Sequence, residues 1–211
     1  MSFMSNLAGR KGYMEHVRGN QASEKGNAQE AQQHYQLALD AYAKAASVAG
    51  TKSVYLEAYS VLLMRFSRFD EAMELIRRTD RMPLKHDEKL RLRVNYAVCQ
   101  WKKGRLDEAV SLMKEVFKDL KSGTIYGTLG YMLIEQGTKS GDFTEALEFN
   151  KDALEYNDED AVVLDNMGQL YLRMGEKETA LEWFEKAHEQ KENQVDTLYY
   201  LGLLYHENGR D

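Results

Sequence analysis

Apolar side chains along this chain recur three and four positions apart, as at Leu164, Met167 and Tyr171. This spacing places side chains on one face of an α-helix, and no segment sustains the alternation typical of a strand. Glycines followed by a polar residue interrupt the pattern at Gly26-Asn27, Gly104-Arg105, Gly141-Asp142 and Gly175-Glu176. Because glycine readily takes the left-handed conformation that ends a helix, the pattern predicts repeated units of helix, tight turn and helix.

The same local sequence returns at fixed intervals. Gly168-Gln-Leu-Tyr171 is followed 34 residues later by Gly202-Leu-Leu-Tyr205. In four copies a small residue lies twelve positions before an alanine: Gly19 before Ala31, Ser60 before Ala72, Ala97 before Ala109 and Gly168 before Ala180. Small residues at matched positions let two helix backbones approach closely, so these intervals predict stacked pairs of helices.

The repeated sequence pattern resembles that of the tetratricopeptide repeat family. Its pattern of Trp, Leu-Gly, Tyr, Ala, Phe and Ala is best met by Leu164, Met167-Gly168, Tyr171, Ala180, Phe184 and Ala187. The resemblance implies an all-α fold, a right-handed superhelical solenoid of helix-turn-helix repeats with about five full repeats and a terminal half repeat. We expect residues 13–211 to form a single repeat array and residues 1–12 to form an N-terminal extension.

Two joints depart from the regular repeat. Gly130 and Ala146 are sixteen residues apart instead of twelve, which predicts one added helical turn between them. The first joint is also long, because Ala31 and Ser60 are 29 residues apart. We therefore expect the second helix of the first repeat to run about two turns further than its counterparts, as far as Ala49.

Composition limits the partners and the cellular location. The 211-residue chain has a formal net charge of −6 and one cysteine. The negative charge gives no general attraction to nucleic-acid phosphates or anionic lipids, so we expect neither a nucleic acid nor a membrane as partner. A single cysteine cannot form an intramolecular disulfide, and no segment resembles a signal peptide or a membrane span. We therefore expect a cytoplasmic protein.

The residue pattern does not indicate catalysis, a cofactor or a bound metal. The five histidines are scattered, and none lies in an H-E-x-x-H motif or close to the cysteine in a ligand-like spacing. Cys99 lies among apolar residues of a predicted helix, where a free cysteine usually acts as a small hydrophobic side chain. We therefore expect no enzymatic activity.

The resemblance places the candidate binding surface on the first helix of each repeat, which in this family lines an inner groove that holds a partner segment. Amide side chains can satisfy the backbone of such a segment, arginines can pair with its carboxylates, and aromatic side chains offer rigid contact area. The predicted groove residues are Asn20, Arg65, Arg91, Asn95, Trp101, Tyr131, Asn166, Arg173 and Tyr199.

We therefore predict a non-catalytic scaffold or adaptor that binds a peptide or helix of a partner protein in the concave groove. The carboxylate clamp that some family members use to bind chaperones is not expected, because His16, Ala58 and Asn95 replace three of its five side chains. The alternative is a structural module that self-associates through its terminal helices, for example as a homodimer. This alternative rests on the sixth repeat, whose first helix has no second helix after it in this sequence.

Overall fold

The computed structural model describes residues 2–207 and Gly209, and these residues form helices joined by short turns. The predicted all-α fold is confirmed. The eleven helices of the described residues are α1 (Ser2–Glu24), α2 (Ala28–Ala46), α3 (Ser53–Arg65), α4 (Phe69–Asp80), α5 (His86–Lys102), α6 (Leu106–Asp119), α7 (Gly123–Ser140), α8 (Thr144–Tyr156), α9 (Ala161–Met174), α10 (Lys177–Gln190) and α11 (Val195–Glu207).

The helices belong to two compact units. Unit 1 contains α1 to α5 and ends at Arg105, and unit 2 contains α6 to α11 and begins at Leu106. In unit 1 the helices pack as the pairs α1–α2 and α3–α4, and in unit 2 as the pairs α7–α8 and α9–α10. Each pair is a first helix, a tight turn and a second helix, as the sequence predicts.

A residue in the left-handed conformation follows each of the helices α1, α3, α5, α7 and α9. Gly26, Gly104, Gly141 and Gly175 have φ values between 77° and 89°, which confirms the predicted helix ends. In the α3–α4 turn the same conformation is taken by Ser67, with a φ of 56°. The backbone bonds of this turn, from Ser67 N to Met64 O and from Arg68 N to Leu63 O, match those around Gly104. The turn is therefore the same even where its glycine is missing.

Within the pairs, a large side chain of the second helix lies on a glycine of the first. Tyr35 lies on Gly19 and Phe184 lies on Gly168, in each case sixteen positions later in the sequence. A Cβ atom at Gly168 would lie 2.7 Å from the Phe184 ring, and one at Gly19 would lie 2.6 Å from the Tyr35 ring. Both aromatic side chains are buried. The glycines thus leave room for the largest side chains of the core.

The first helix is longer than the sequence pattern predicts. Residues 2–12, which the sequence analysis set apart as an extension, form the N-terminal half of α1 and continue without interruption into its second half. A Cβ at Gly9 would meet the Tyr55 ring at 2.5 Å, and one at Gly12 would meet the Tyr42 ring at 2.6 Å. These glycines therefore let α1 pack closely on α2 and α3.

Both irregular joints are visible in the structure. Helix α7 has 18 residues and α9 has 14, which confirms the added turn in the fourth repeat. Helix α2 has 19 residues, against 12 in α4, so the longer second helix is also confirmed. It ends at Ala46 rather than at Ala49, because the chain turns there and Thr51 Oγ1 donates a hydrogen bond to Ala45 O at 2.6 Å.

Within residues 2–207, no helix combines the length and the apolar character that crossing a membrane requires.

The close approach at Gly168 can be tested against a matched glycine. We expect Gly168→Ala to lower the free energy of unfolding by about 1 to 2 kcal/mol, because its methyl group would overlap the buried Phe184 ring. Gly202 holds the same repeat position in α11, but among the described residues no atom would lie within 4 Å of its Cβ. Gly202→Ala should therefore raise the free energy of unfolding by about 0.5 to 1 kcal/mol. Urea denaturation measures the free energy of unfolding of both variants. Equal changes in the two variants would contradict the packing of Phe184 on Gly168.

Candidate partner-binding surfaces

Tyr35 connects several polar residues on the first helices of unit 1. Its hydroxyl donates a hydrogen bond to Asn20 Oδ1 at 2.9 Å. The guanidinium of Arg65 lies 4.6 Å from the centroid of the Tyr35 ring, and the His16 ring meets the same ring edge-on. The structure therefore brings the predicted residues Asn20 and Arg65 together, through a side chain of α2 that the sequence analysis did not assign to the surface.

The positive charge of Arg65 is not neutralised by an ion pair within the described part of the chain. Burial, and after it the charge of Arg65, lower the pKa of His16, so the neighbouring imidazole is neutral at neutral pH. Arg65 thus presents an exposed cation that is fixed by an aromatic ring and not by a carboxylate.

Arg91 differs from Arg65 because its charge is already paired. Its Nε donates to Glu57 Oε1 at 3.0 Å and its Nη1 donates to Asp87 Oδ2 at 2.8 Å. A carboxylate of a partner protein would have to compete with the carboxylates of Glu57 and Asp87 for Arg91. Arg91 therefore ties α5 to α3, and this corrects its expected role as an open carboxylate-binding residue.

Two further predicted residues lie on α5. Asn95 is half-buried, and its amide makes no hydrogen bond to any described residue. Trp101 is also half-buried, and the ammonium of Lys102 lies 3.8 Å from the centroid of its ring. Trp101 is therefore not a fully buried core residue, and it holds a cation on its face.

In unit 2, a continuous chain of hydrogen bonds crosses the first helices α7, α9 and α11. Arg173 donates to Tyr131 Oη at 3.5 Å and to Gln169 Oε1 at 3.0 Å. Gln169 donates to Asp165 Oδ2 at 2.7 Å, and Thr197 donates to Asp165 Oδ1 at 2.6 Å. The predicted residues Tyr131 and Arg173 are thus joined, and both stay partly exposed.

The other two predicted residues of unit 2 lie in opposite environments. Asn166 is only 2% exposed, and its amide donates to Gly127 O at 2.9 Å, so its side chain fastens α9 to α7. Its expected place on an open surface is corrected by this burial. Tyr199 is exposed and meets Tyr200 edge-on, with 5.2 Å between the ring centroids.

One repeat position carries the same feature in both units. Arg65, Lys102 and Arg173 each lie five residues after the small residue of their first helix. Each cation lies over an aromatic ring: Arg65 over Tyr35, Lys102 over Trp101, and Arg173 over Tyr131 at 5.6 Å. None of the three forms an ion pair within residues 2–207. The sequence analysis missed this recurrence, although the constant offset from Ser60, Ala97 and Gly168 could have revealed it.

Comparisons with known proteins support the fold of repeated helix pairs. Residues 168–209 match the family model described as TPR repeat, which denotes the tetratricopeptide repeat. A solved thermophilic TPR protein of Thermus thermophilus superimposes with a TM-score of 0.67 at 18% identity, over 92% of this chain and 98% of that one. The chain thus has the fold of a tetratricopeptide repeat protein. A second TPR protein, YrrB, whose structure is described as having an unusual peptide-binding site, superimposes with a TM-score of 0.55 at 17% identity, over 88% of this chain and 89% of that one.

Curated relatives include photosystem I assembly proteins called Ycf3. The protein of Synechococcus sp. (strain CC9605) is 32% identical over 111 residues, which cover 50% of this chain and 64% of the relative. The protein of Prochlorococcus marinus (strain MIT 9301) is 37% identical over 75 residues, which cover 34% of this chain and 43% of the relative. The chain thus spans less than two thirds of the length of these relatives.

The thiol of Cys99 lies away from solvent. Burial raises the pKa of the Cys99 thiol to about 11, so the thiol stays protonated and poorly nucleophilic at neutral pH. In the described residues, no three side chains of His, Cys, Asp or Glu are grouped as metal ligands would be.

Asp165 is the most deeply buried carboxyl group among the described residues. Burial raises the pKa of Asp165 above its ordinary value, and the hydrogen bonds from Thr197 and Gln169 oppose this only in part. The folded state therefore binds a proton at Asp165 at a higher pH than the unfolded state does.

This shift predicts how stability changes with pH. As the pH falls from neutral towards the ordinary aspartate pKa of about 3.9, the unfolding free energy of the wild type should rise relative to that of Asp165→Asn, because the folded wild type takes up a proton that the unfolded chain does not yet bind. Urea denaturation at several pH values measures the difference. Glu182→Gln, which removes an exposed carboxyl group from α10, serves as the control. A difference between wild type and Asp165→Asn that stays constant with pH would contradict the assignment.

Proposed function

We propose that the chain is a non-catalytic scaffold that binds a segment of a partner protein along the first helices of its tetratricopeptide repeats. The observation that carries this proposal is the recurring cation over an aromatic ring, at Arg65, Lys102 and Arg173. The ring orients each cation in advance, which lowers the entropy cost of binding.

The contrast with other cations of the chain supports a binding role. In a chain of net charge −6, carboxylates are abundant, and many cations outside this position have one as partner. Lys103 pairs with Asp70 at 2.5 Å, and Lys177 pairs with Glu207 at 2.8 Å. Arg65, Lys102 and Arg173 lack such partners within residues 2–207, so their charges are available to carboxylates of a bound segment.

The surrounding side chains fit an extended or helical guest. The amide of Asn95 makes no hydrogen bond to a described residue, and Tyr131 and Tyr199 offer aromatic area. Asn20 and Arg65 complete the proposed surface in unit 1. Arg91, Trp101 and Asn166 contribute mainly by holding the surface in place.

The relatives support a role in assembly. YrrB is described as having a peptide-binding site, and the Ycf3 proteins are named for photosystem I assembly. Because the match covers at most 64% of those Ycf3 proteins, we carry over the general role of holding a protein during assembly, and we assign no particular partner.

A second candidate function is self-association through α11. It is favoured by the exposed apolar side chains of this helix, Val195, Leu198, Tyr199 and Leu203. Sedimentation equilibrium distinguishes the two candidates. A dimer that Leu203→Ser dissociates would support self-association, whereas a monomer at all concentrations would oppose it.

The scaffold proposal can be tested with peptides selected from a random displayed library on the wild-type chain. We expect Arg65→Gln to weaken binding of the peptides held by unit 1 by about tenfold or more, and Arg173→Gln to do the same for the peptides held by unit 2, as the loss of an arginine anchor does. Fluorescence anisotropy measures the affinities, and melting temperatures should stay close to that of the wild type because both changes lie at the surface.

The matched control is Lys177→Gln, which removes an exposed, ion-paired cation from the second helix α10. It should leave the affinities unchanged. If no peptide is selected, or if the control weakens binding as much as the arginine variants do, the first helices are not the binding surface.

A further inference from the structure

Helix α1 carries small side chains on its inner face and large apolar side chains on its outer face. The inner face includes Ser5, Gly9, Gly12, Gly19 and Ala22, which are buried or fit beneath tyrosine rings of α2 and α3, together with the buried polar side chains of Glu15 and His16. The outer face carries the exposed side chains Phe3, Met4, Leu7, Tyr13, Met14 and Val17, of which Phe3 is 78% exposed. This is the reverse of an ordinary surface helix, whose large apolar side chains face the core.

The outer apolar face is wide. At 100° per residue, the six side chains occupy an arc of about 180°, with Tyr13 at one edge and Met4 at the other. A helix that pairs with one other helix needs a narrower stripe, made of two positions in every seven. The width of the outer face therefore suits a flat apolar surface better than a single partner helix.

The charge of this face is opposite to that of the chain. Arg10 and Lys11 are exposed on the outer half of α1, and neither forms an ion pair with a described residue. The acidic residue nearest to them along α1, Glu15, is buried and bound to Arg18 and His34, each at 2.7 Å. The outer face thus attracts an anionic occupant although the net charge of the chain is −6.

A second copy of α1 fits this face poorly. In a parallel pair of α1 helices, Arg10 would face Arg10 of the other copy. In an antiparallel pair centred on the apolar residues from Phe3 to Val17, the two Arg10 side chains would meet again, because Arg10 lies midway. Like charges at this position are repulsive in both cases.

We propose that α1 lies on the surface of an anionic lipid bilayer. Phe3, Leu7 and Met14 enter the boundary between headgroups and acyl chains, while Arg10 and Lys11 extend to the lipid phosphates. The binding is peripheral and needs no spanning helix. It differs from the expectation that the chain has no membrane partner, which rested on the net charge of the whole sequence, and it does not depend on the proposed scaffold function.

Vesicle flotation with the full chain tests this proposal. The probes are vesicles of equal parts phosphatidylglycerol and phosphatidylcholine, and vesicles of phosphatidylcholine alone. We expect binding to the anionic vesicles that weakens as salt is added, because the basic residues act electrostatically. The double variant Phe3→Ser and Leu7→Ser should weaken this binding by at least about tenfold. The double variant Arg10→Gln and Lys11→Gln should weaken it by about fivefold per cation, or roughly 25-fold in total.

The matched control changes exposed apolar side chains of other helices. Leu37→Ser on α2 combined with Val162→Ser on α9 should bind anionic vesicles as the wild type does. Circular dichroism melting of each variant checks that the fold is retained. The proposal is overturned if the wild type does not bind anionic vesicles more tightly than phosphatidylcholine vesicles, or if the α1 variants bind like the control. It is also overturned if the wild type is a dimer that the Phe3 and Leu7 changes dissociate, because a second copy would then cover the face.

Discussion

The close packing of one large side chain on one glycine organises each of the best-defined helix pairs. Tyr35 lies on Gly19, Asn150 lies against Gly130, and Phe184 lies on Gly168. The offset is sixteen residues in the regular repeats and twenty in the pair that carries the four-residue insertion. Because the insertion lengthens α7 without changing which repeat positions meet, this contact, rather than the length of the first helix, sets how the two helices pack.

This packing separates the surfaces that stabilise the fold from those that are free to bind. The first helices also supply many of the largest fully buried side chains, such as Leu62, Met132 and Met167, but their far sides are not part of this core. Those sides carry Arg65 and Arg173, which rest on rings and have no ion-pair partner among the described residues. Helix α1 extends the same principle, since its glycines let it pack closely from one side while its large side chains face outward.

Local pattern was enough to predict much of the fold. Helical periodicity and turn glycines predicted the helices, their order and the added turn before Gly141, because these features depend on neighbouring residues. The helical state of residues 2–12 was not predicted. Gly9 and Gly12 lower helix propensity locally, and the rings of Tyr55 and Tyr42 that they accommodate are distant in sequence.

The surface residues were also harder to predict, because their partners are distant in the sequence. Glu57, which neutralises Arg91, lies 34 residues away, and the carbonyl of Gly127 that binds Asn166 lies 39 residues away. A sequence pattern identifies the face of a helix but does not identify such distant partners. The net charge also concealed the positive outer face of α1, because a sum over the whole chain contains no information about position.

The packing of Phe184 on Gly168 can be tested most directly with a double-mutant cycle. The free energy of unfolding would be measured for the wild type, Gly168→Ala, Phe184→Leu and the double variant. If the ring and the glycine are fitted to each other, the smaller leucine relieves the overlap, and Gly168→Ala should cost at least about 1 kcal/mol less in the Phe184→Leu background than in the wild type. Effects that add to within about 0.5 kcal/mol would show that the two residues do not depend on each other, and would contradict the packing on which this account of the fold rests.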